Sequence, residues 1–563
     1  MKELSNEARA MIAFVISLVV LLAWGHFYKP PQPPAKPPQT QAPQVPGSGA
    51  NQPSAASAAP LAVPAIAPKA GTQEKTIVIE SSLYRVELSN RGGVVRSWQL
   101  KKYTDDQKPP HTLDLVNAKA AQQLGGWPFS LALEDAKLEA QANSALFDVT
   151  PAQVSLGAPA EVDLEWSNGH LAVTKRLKFA QSYLIEAEVS VELDGKPLPA
   201  TLAWRGGFGD TAVFQAAQQV NVFYSANGKL TLLPAKKLGV PDHPDELYQQ
   251  PGTMAYAGIE DKFFAAAFLP NGPGLALWHW ARQREVFVED KSTQELVPEM
   301  AAGSPAPEPL SVRVYVGPKD LNQLNALHPP LEDLVQFGWF GVIAKPLLEI
   351  LKWIYRYVPN YGWAIVILTV AINMALFPLK VKSWHSMKRM QKVAPQIEVI
   401  KQKYAKYSMS DPRKKKMNEE MMALYKEEGI NPVGGCLPML LQMPIWFALY
   451  RMLGSAIELR HAPWIFWIHD LSGRDPFYVL TILMAVTMWL MQKMTPVTTM
   501  DPAQQKMMVM MPVMFGAMFF IFPVSCGLVL YILTQNVVGI AQQWYLNRTE
   551  PLPVKGKGGG KKK

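Results

Sequence analysis

Hydrophobic and polar positions alternate in two different ways along the 563-residue chain. Before about residue 330, short runs alternate between apolar and polar residues and end in polar turns, as strands with one buried face do. From residue 334 to residue 547, long apolar segments alternate with charged loops, which is the pattern of membrane-spanning helices. The chain therefore combines a part that folds in water with a part that lies in lipid.

The first part of the chain contains three segments. Residues 11 to 28 carry no Lys, Arg, Asp or Glu and end in aromatic residues, and no small-residue cleavage motif follows them. This pattern favours a retained transmembrane anchor over residues 1–28 rather than a signal peptide. Residues 29–74, which include twelve prolines, are predicted to form an extended linker. Alternating runs rich in β-branched and aromatic residues predict a β-sandwich over residues 75–325.

The second part begins with residues 334–359, where aromatic and basic residues are mixed as in an amphipathic helix at the membrane interface. Uncharged segments follow at residues 361–379, 430–450, 477–492 and 507–547. The last segment, as a single helix, would be about 60 Å long against a hydrocarbon core of about 30 Å, so we expect it to fold back near residues 523–527. Five spans then lie within residues 361–547, and the N-terminal anchor makes six.

The charge of the loops predicts one orientation for all these spans. The loop 381–429 contains twelve Lys or Arg and the tail 548–563 contains six, whereas the loop 455–475 has two basic and three acidic residues. Because basic loops stay inside, both termini and the loop 381–429 are predicted to be cytoplasmic and the large domain periplasmic. The net charge of +9 is explained more simply in this way than by nucleic-acid binding.

The loop 381–429 is itself predicted to form a helical hairpin. Pro395 is expected to interrupt its first helix, Asp411 and Pro412 are a typical N-cap and first-turn pair for the second, and Gly429 ends it.

Several long runs of the second part resemble the YidC/Oxa/Alb family of membrane protein insertases. They are FGWFGVIAKPLLEILKWIYRYVPNYGWAIVILT, EEMMALYKEEGINPVGGCLPMLLQMPIWFALY, ELRHAPWIFWIHDLSGRDPFY, MQKMTPVTTMDPAQQKMM and GLVLYILTQN. The whole arrangement, with its anchor, linker and large domain, is similar to the Gram-negative members. The resemblance implies a bacterial inner-membrane insertase and chaperone with no cofactor and a hydrophilic groove open to cytoplasm and lipid. It implies nascent membrane proteins and the lipid bilayer as partners, together with the Sec translocon, the ribosome, and the signal recognition particle and its receptor.

Polar and flexible side chains within the spans are candidates for the walls of this groove. Thr369 and Asn373 are one turn apart on the same helix face, and polar residues inside a span tend to face an interior or a water-filled cavity. Methionine suits surfaces that accept varied apolar partners, and Trp446 matches a position at which family members contact substrate. The candidate residues are Thr369, Asn373, Gln442, Trp446, Met484, Met518, Tyr531, Gln535 and Asn536. The alternative, that they only pack or join helices, stays open.

One candidate departs from the family pattern. Alignment through residues 377–379 places Asn373 where the family usually has an Arg, so a mechanism in which a fixed cation attracts acidic substrate tails is in doubt at this position. Lys380 and Lys382 lie nearer the expected cytoplasmic edge and are poor substitutes by sequence position.

Basic residues of the hairpin are candidates for contact with the ribosome, a targeting factor or anionic lipid. They are Lys388, Arg389, Lys392, Lys401 and Lys403. A solvated face that obeys the positive-inside rule is the commoner explanation of such residues. For the basic tail, ribosomal RNA and lipid are equal alternatives.

Other classes of function find less support in the sequence. A secondary transporter or channel with a polar intramembrane pathway is the alternative, but no internal repeat or charged pair within a span indicates one. An enzyme is not predicted, because His461, His469, Asp470 and the residues around His243 show no metal-ligand spacing or nucleophile motif. Cys436 and Cys526 lie about ninety residues apart within apolar sequence, which indicates neither a disulfide framework nor a zinc site.

Overall fold

The computed structural model of the chain consists of two compact units. The β unit comprises Ala62–Ala364 and Met443–Gly473, and the helical unit comprises Met1–Leu61, Ile365–Gln442 and Arg474–Lys563. The structure describes residues 66–210, 219–288, 291–407, 411–430, 437–494, 510–511, 514, 516–519 and 524–549. The predicted N-terminal anchor, most of the predicted linker, Cys436 and most of the basic tail lie outside the described residues.

Nineteen strands form three sheets in the described part of the β unit. The five-stranded sheet has the order β4-β3-β2-β1-β6, with β1 (Thr76–Glu80), β2 (Tyr84–Ser89), β3 (Val94–Thr104), β4 (Thr112–Asp114) and β6 (Ser155–Gly157). The ten-stranded sheet has the order β13-β12-β15-β16-β19-β9-β8-β7-β5, with β10 also on β9, and contains β5 (Asp148–Thr150), β7 (Ala160–Ser167), β8 (Leu171–Phe179), β9 (Leu184–Leu193), β10 (Lys196–Leu198), β12 (Asn221–Ala226), β13 (Lys229–Pro234), β15 (Tyr256–Glu260), β16 (Phe264–Pro270) and β19 (Leu310–Pro318). The four-stranded sheet has the order β11-β18-β17-β14, with β11 (Thr201–Trp204), β14 (Tyr248–Met254), β17 (Leu275–Val288) and β18 (Lys291–Gly303). The β1–β6 pair is parallel and the others are antiparallel.

The alternation seen in the sequence explains why these strands pack as layers. Along β8, every second residue from Leu171 to Phe179 is buried, which is the periodicity of a strand with one face in a core. The Trp98 ring of the five-stranded sheet lies 6.4 Å from Phe179 of the ten-stranded sheet and 6.1 Å from Phe129. The predicted β-sandwich is therefore confirmed, and its core lies between facing sheets.

Short helices complete the β unit. They are α1 (Ala118–Leu124), α2 (Ala136–Ser144), α3 (Leu321–Asn325) and α4 (Gly341–Tyr357), with 3₁₀ turns at Ala235–Lys237, Glu332–Val335, Gly338–Phe340 and Ile457–Leu459. In α4, Ala344, Leu348 and Leu351 are buried on one face while Trp353 and Tyr357 are exposed. The segment 334–359 is thus amphipathic, but its helix begins only at Gly341, after the 3₁₀ turns.

The longer helices are α5 (Tyr361–Lys403), α6 (Pro412–Glu427), α7 (Leu437–Ser455), α8 (Val479–Met494) and α9 (Cys526–Thr549). Among the described residues, α5 is the one helix long and apolar enough to cross a membrane by length and composition, and α8 is apolar but has only 16 residues. At 43 residues, α5 is about 65 Å long, so it extends well beyond a hydrocarbon core of about 30 Å. The count of six spans stays a prediction.

Three local expectations need correction. Pro395 does not interrupt the first hairpin helix, because α5 continues through it to Lys403. A proline removes one backbone hydrogen bond and often bends a helix without ending it. The helix α7 runs to Ser455, beyond the end of the uncharged segment 430–450, and α9 begins at Cys526, inside the segment 523–527 that was expected to turn.

The second half of α5 packs against α6. Val393 and Ile397 of α5 form an apolar cluster with Ile430, and Met421, Leu424 and Tyr425 pack against that cluster. At the distal end, Glu420 accepts hydrogen bonds from the Lys403 amine and the Tyr404 hydroxyl, each at 2.8 Å. Asp411 caps α6 through the Arg413 N–H, and Gly429 follows the helix with φ +62°, which are the start and end expected from the sequence.

Candidate groove in the helical unit

Thr369 and Asn373, the two polar residues predicted on one face of α5, both donate hydrogen bonds to backbone carbonyls of their own helix. The buried Thr369 hydroxyl donates to the Ile365 carbonyl at 2.7 Å, and the Asn373 amide donates to the Thr369 carbonyl at 2.8 Å. Hydrogen bonds of this kind, to the carbonyl four residues back, let polar side chains occupy an apolar helix. The Asn373 amide therefore has a backbone partner on its own helix.

A second set of contacts joins α5 to α9 and was not predicted. The Gln542 side chain donates to the Asn373 carbonyl at 3.2 Å and accepts a hydrogen bond from the Lys380 amine at 3.0 Å. Gly539 lies beside this contact: a Cβ there would be 3.7 Å from Lys380 Nζ, an ordinary contact distance, and 3.0 Å from Met491 Cε, so it would press on the Met491 side chain. Lys380 lies seven residues after Asn373, and Gln542 lies seven residues after Gln535, so each pair shares one face of its helix two turns apart. This spacing was the signal in the sequence from which the contacts between α5 and α9 could have been predicted.

Three predicted residues present buried polar atoms without a hydrogen-bond partner. They are Gln442 Nε2, Tyr531 Oη and Gln535 Oε1. Tyr531 and Gln535 are one turn apart on α9, and the Gln442 side chain of α7 is the polar neighbour of the Tyr531 hydroxyl. Buried polar groups without a partner are rare and cost folding free energy. The group of three such side chains therefore marks a place where a polar group from another molecule would bind favourably.

Other predicted residues join α8 to α9. The Asn536 amide donates to the Met484 carbonyl at 3.5 Å and to the Thr487 hydroxyl at 3.3 Å. Asn536 and Met484 are both buried, whereas Met518 is 39% exposed, as are Met510, Met511 and Met514 to a similar degree. Asn536 thus has the helix-joining role that the sequence left open, while the exposed methionines remain candidates for apolar contact with substrate.

The remaining predicted residues lie elsewhere. Trp446 belongs to the β unit, where its ring contacts Phe447 at 5.0 Å and stacks on Tyr450 at 6.0 Å. In the hairpin, Arg389 and Lys392 are exposed, Lys388 and Lys401 are half-buried, and Lys403 pairs with Glu420. That pairing lowers the pKa of Glu420 through the Lys403 and Tyr404 hydrogen bonds.

The described residues contain no cluster of His, Cys, Asp and Glu that could hold a metal ion. His461 and Asp470, which an enzyme interpretation would use, have structural partners. The His461 ring Nε2 lies 2.6 Å from an Asp106 carboxylate oxygen, and the Asp470 carboxylate accepts a hydrogen bond from the His461 backbone N–H at 2.9 Å.

Comparison with known proteins identifies relatives for both parts of the chain. A family model described as 60Kd inner membrane protein matches residues 353–552, and one described as YidC periplasmic domain matches residues 76–350. The membrane protein insertase YidC of Syntrophus aciditrophicus is 34% identical over 96% of this chain and 99% of its own length, and that of Geobacter metallireducens is 34% identical over 96% and 98%. The crystal structure of an active YidC insertase with its first transmembrane domain resolved covers 86% of this chain and 96% of that chain, at 17% identity and a TM-score of 0.34.

Proposed function

The chain belongs to the YidC family of membrane protein insertases. We propose that it performs insertion through a hydrophilic groove formed in the helical unit by α5, α9 and the part of α7 that ends at Gln442. The groove would accept the polar segment next to an entering helix while the helix itself moves into lipid. The observation that supports this proposal is the group of unpartnered buried polar atoms on Gln442, Tyr531 and Gln535.

The physical reason is the cost of carrying polar backbone through hydrocarbon. Each unsatisfied N–H or C=O costs several kcal/mol there, so an insertase lowers the barrier by offering partners part of the way across. An amide nitrogen, a phenolic hydroxyl and an amide oxygen provide both donors and acceptors. They therefore suit substrate segments of varied sequence, which is what a general insertase requires.

The orientation and the partners follow from the charge of the loops and from the family. Six spans, cytoplasmic termini and a cytoplasmic hairpin would place the basic residues beside ribosomes and anionic lipid, with the β unit in the periplasm. The protein would act alone or with the Sec translocon, and the signal recognition particle and its receptor would deliver some substrates. Of the five predicted contact residues of the hairpin, the exposed Arg389 and Lys392 would be available for such contacts.

The test uses cells depleted of their own insertase that express the full chain. A short membrane protein with an N-terminal tail is followed by protease accessibility of the tail. We expect the parent chain to restore translocation. The variant with Gln442→Leu, Tyr531→Phe and Gln535→Leu should lose most of it while remaining as stable as the parent, because apolar replacement of unpaired polar atoms costs little folding free energy.

Asn536→Leu is the matched control. Asn536 makes hydrogen bonds between helices, so its replacement should lower thermal stability by about 1 kcal/mol or more. Full translocation by the triple variant, at normal expression, would show that these atoms do not form the substrate path.

A further inference from the structure

A tight turn of the β unit, residues 464–468, presents an aromatic side chain at its surface. The Trp464 N–H donates to the Ile468 carbonyl at 3.0 Å, and the Ile468 N–H donates to the Ile465 carbonyl at 3.1 Å, so the turn is closed by backbone hydrogen bonds. Phe466 lies at its apex, where it is 81% exposed and has a φ of +50°. This left-handed conformation is uncommon for a bulky residue, and Gly or Asn adopts it more easily. The geometry of the turn therefore does not explain an exposed phenylalanine at this position.

The aromatic turn 464–468 is fixed to the first residues of α5, which also belong to the β unit. The Asn360 amide donates to the Trp464 carbonyl at 3.2 Å, and the rings of Trp464 and Trp363 meet edge to face with their centroids 5.7 Å apart. A Cβ at Gly362 would lie 2.2 Å from Trp464 Cδ1, so only a glycine lets the indole lie this close to the helix. The turn is therefore held at the level at which α5 begins.

The composition of α5 shows where this level lies in the bilayer. The helix is long and apolar enough to cross a membrane, and its uncharged part, residues 361–379, is about 28 Å long against a hydrocarbon core of about 30 Å. The first turn of α5 then lies at one boundary of the core. Because the β unit carries the match to the YidC periplasmic domain, this boundary belongs to the periplasmic leaflet.

We infer that the aromatic turn 464–468 is a lipid-binding surface of the β unit, in which the Phe466 ring enters the acyl boundary of the periplasmic leaflet. Removal of this exposed ring from water is favourable, and aromatic side chains are enriched at that depth. The turn has the sequence Trp-Ile-Phe-Trp-Ile and carries no charge, so it binds the apolar region of phospholipids and not a charged headgroup. Arg460 of the same segment bonds Asp210, which links the lipid contact to the β-sandwich. This contact is independent of the proposed groove.

The test measures the depth of a fluorescent label in the full chain, reconstituted in phosphatidylcholine vesicles. Both natural cysteines are replaced by Ala, and a nitrobenzoxadiazole label is attached through Phe466→Cys or, as the control, through His469→Cys. His469 is also exposed and lies three residues further along the chain. We expect the label at position 466 to be quenched by lipids with a nitroxide on the acyl chain and to be several-fold less accessible to aqueous iodide than the label at position 469. Addition of phosphatidylglycerol should not change this difference.

Three outcomes would overturn the inference. Equal accessibility of the two labels to iodide would show that the turn lies in water. A label at position 466 that is shielded from both quenchers would show that the turn is covered by protein and not by lipid. Quenching by the lipid nitroxide only when phosphatidylglycerol is present would show that a headgroup charge, and not the apolar ring, brings the turn to the membrane.

Discussion

A buried ion pair inside the β unit gives a strong prediction about stability. The segment 456–473, which follows α7, is attached to the β domain by Arg460, whose guanidinium lies 2.6 Å from an Asp210 carboxylate oxygen. The two side chains are 4% and 5% exposed. Asp106 lies 3.9 Å from the same guanidinium, and the guanidinium sits 5.3 Å from the Phe264 ring centroid. Arg460 is therefore enclosed by two carboxylates and an aromatic face.

Replacement of Arg460 by Met keeps the volume of the side chain and removes its charge. The Asp210 carboxylate then stays buried without its guanidinium partner, which typically costs about 3–5 kcal/mol. For a unit of this size, we expect the thermal midpoint to fall by roughly 4–7 °C. The measurement is the thermal unfolding of the purified full chain in detergent, followed by tryptophan fluorescence.

Arg176→Met on β8 is the control. Arg176 contacts Asp163 at 2.8 Å, but its side chain is 42% exposed, and exposed pairs contribute about 1 kcal/mol or less. A double-mutant cycle of Arg460→Met, Asp210→Asn and the double variant isolates the coupling free energy between Arg460 and Asp210. The reasoning would be refuted if Arg460→Met and Arg176→Met lowered the midpoint equally, or if the Arg460 and Asp210 changes were additive.

Two other groups of the β unit give independent predictions. Burial lowers the pKa of His279 to about 4, so between pH 6.5 and pH 4 the unfolded chain binds more protons than the folded one, and stability should fall by about 3 kcal/mol as the pH is lowered through that window. His279→Gln should flatten this dependence in thermal scans at pH 7, 5.5 and 4.5, and an equal slope in both proteins would contradict the assignment. Glu299 is fully buried and accepts from Arg282 and from the Trp280 indole at 2.5 Å, so Glu299→Gln should cost about 3–5 kcal/mol by placing amide hydrogens against those donors. A midpoint within 2 °C of the parent would show that the site relaxes around the amide.

The sequence predicted the β domain because its signal is local. Alternation along β8 depends only on neighbouring residues, and burial of every second side chain follows from it. The division into three sheets depends on pairs such as β1 with β6, whose partners lie far apart in the chain. No local pattern encodes those pairings, since they are decided by tertiary packing.

The candidate groove was predicted only in part, because local spacing can be read from a sequence and contacts between distant residues cannot. Spacing placed Thr369 and Asn373 on one face of α5, but it did not reveal that both side chains bond to their own helix. Lys380 was named from the sequence only as a poor substitute for the missing cation, because a lysine at the end of an apolar run normally serves as a flanking charge. Its contact with Gln542 joins residues 162 positions apart, which a single sequence does not show.

The most direct test of the groove is position-specific photocrosslinking to a ribosome-stalled membrane protein in the course of insertion. A photoreactive residue is placed at Gln535 or at Val537 of the full chain. Two positions apart on α9 correspond to about 200° around the helix, so the two side chains lie on different faces. Our account predicts crosslinks to the entering segment from position 535 and few from position 537. Equal crosslinking from both positions, or stronger crosslinking from position 537, would contradict it.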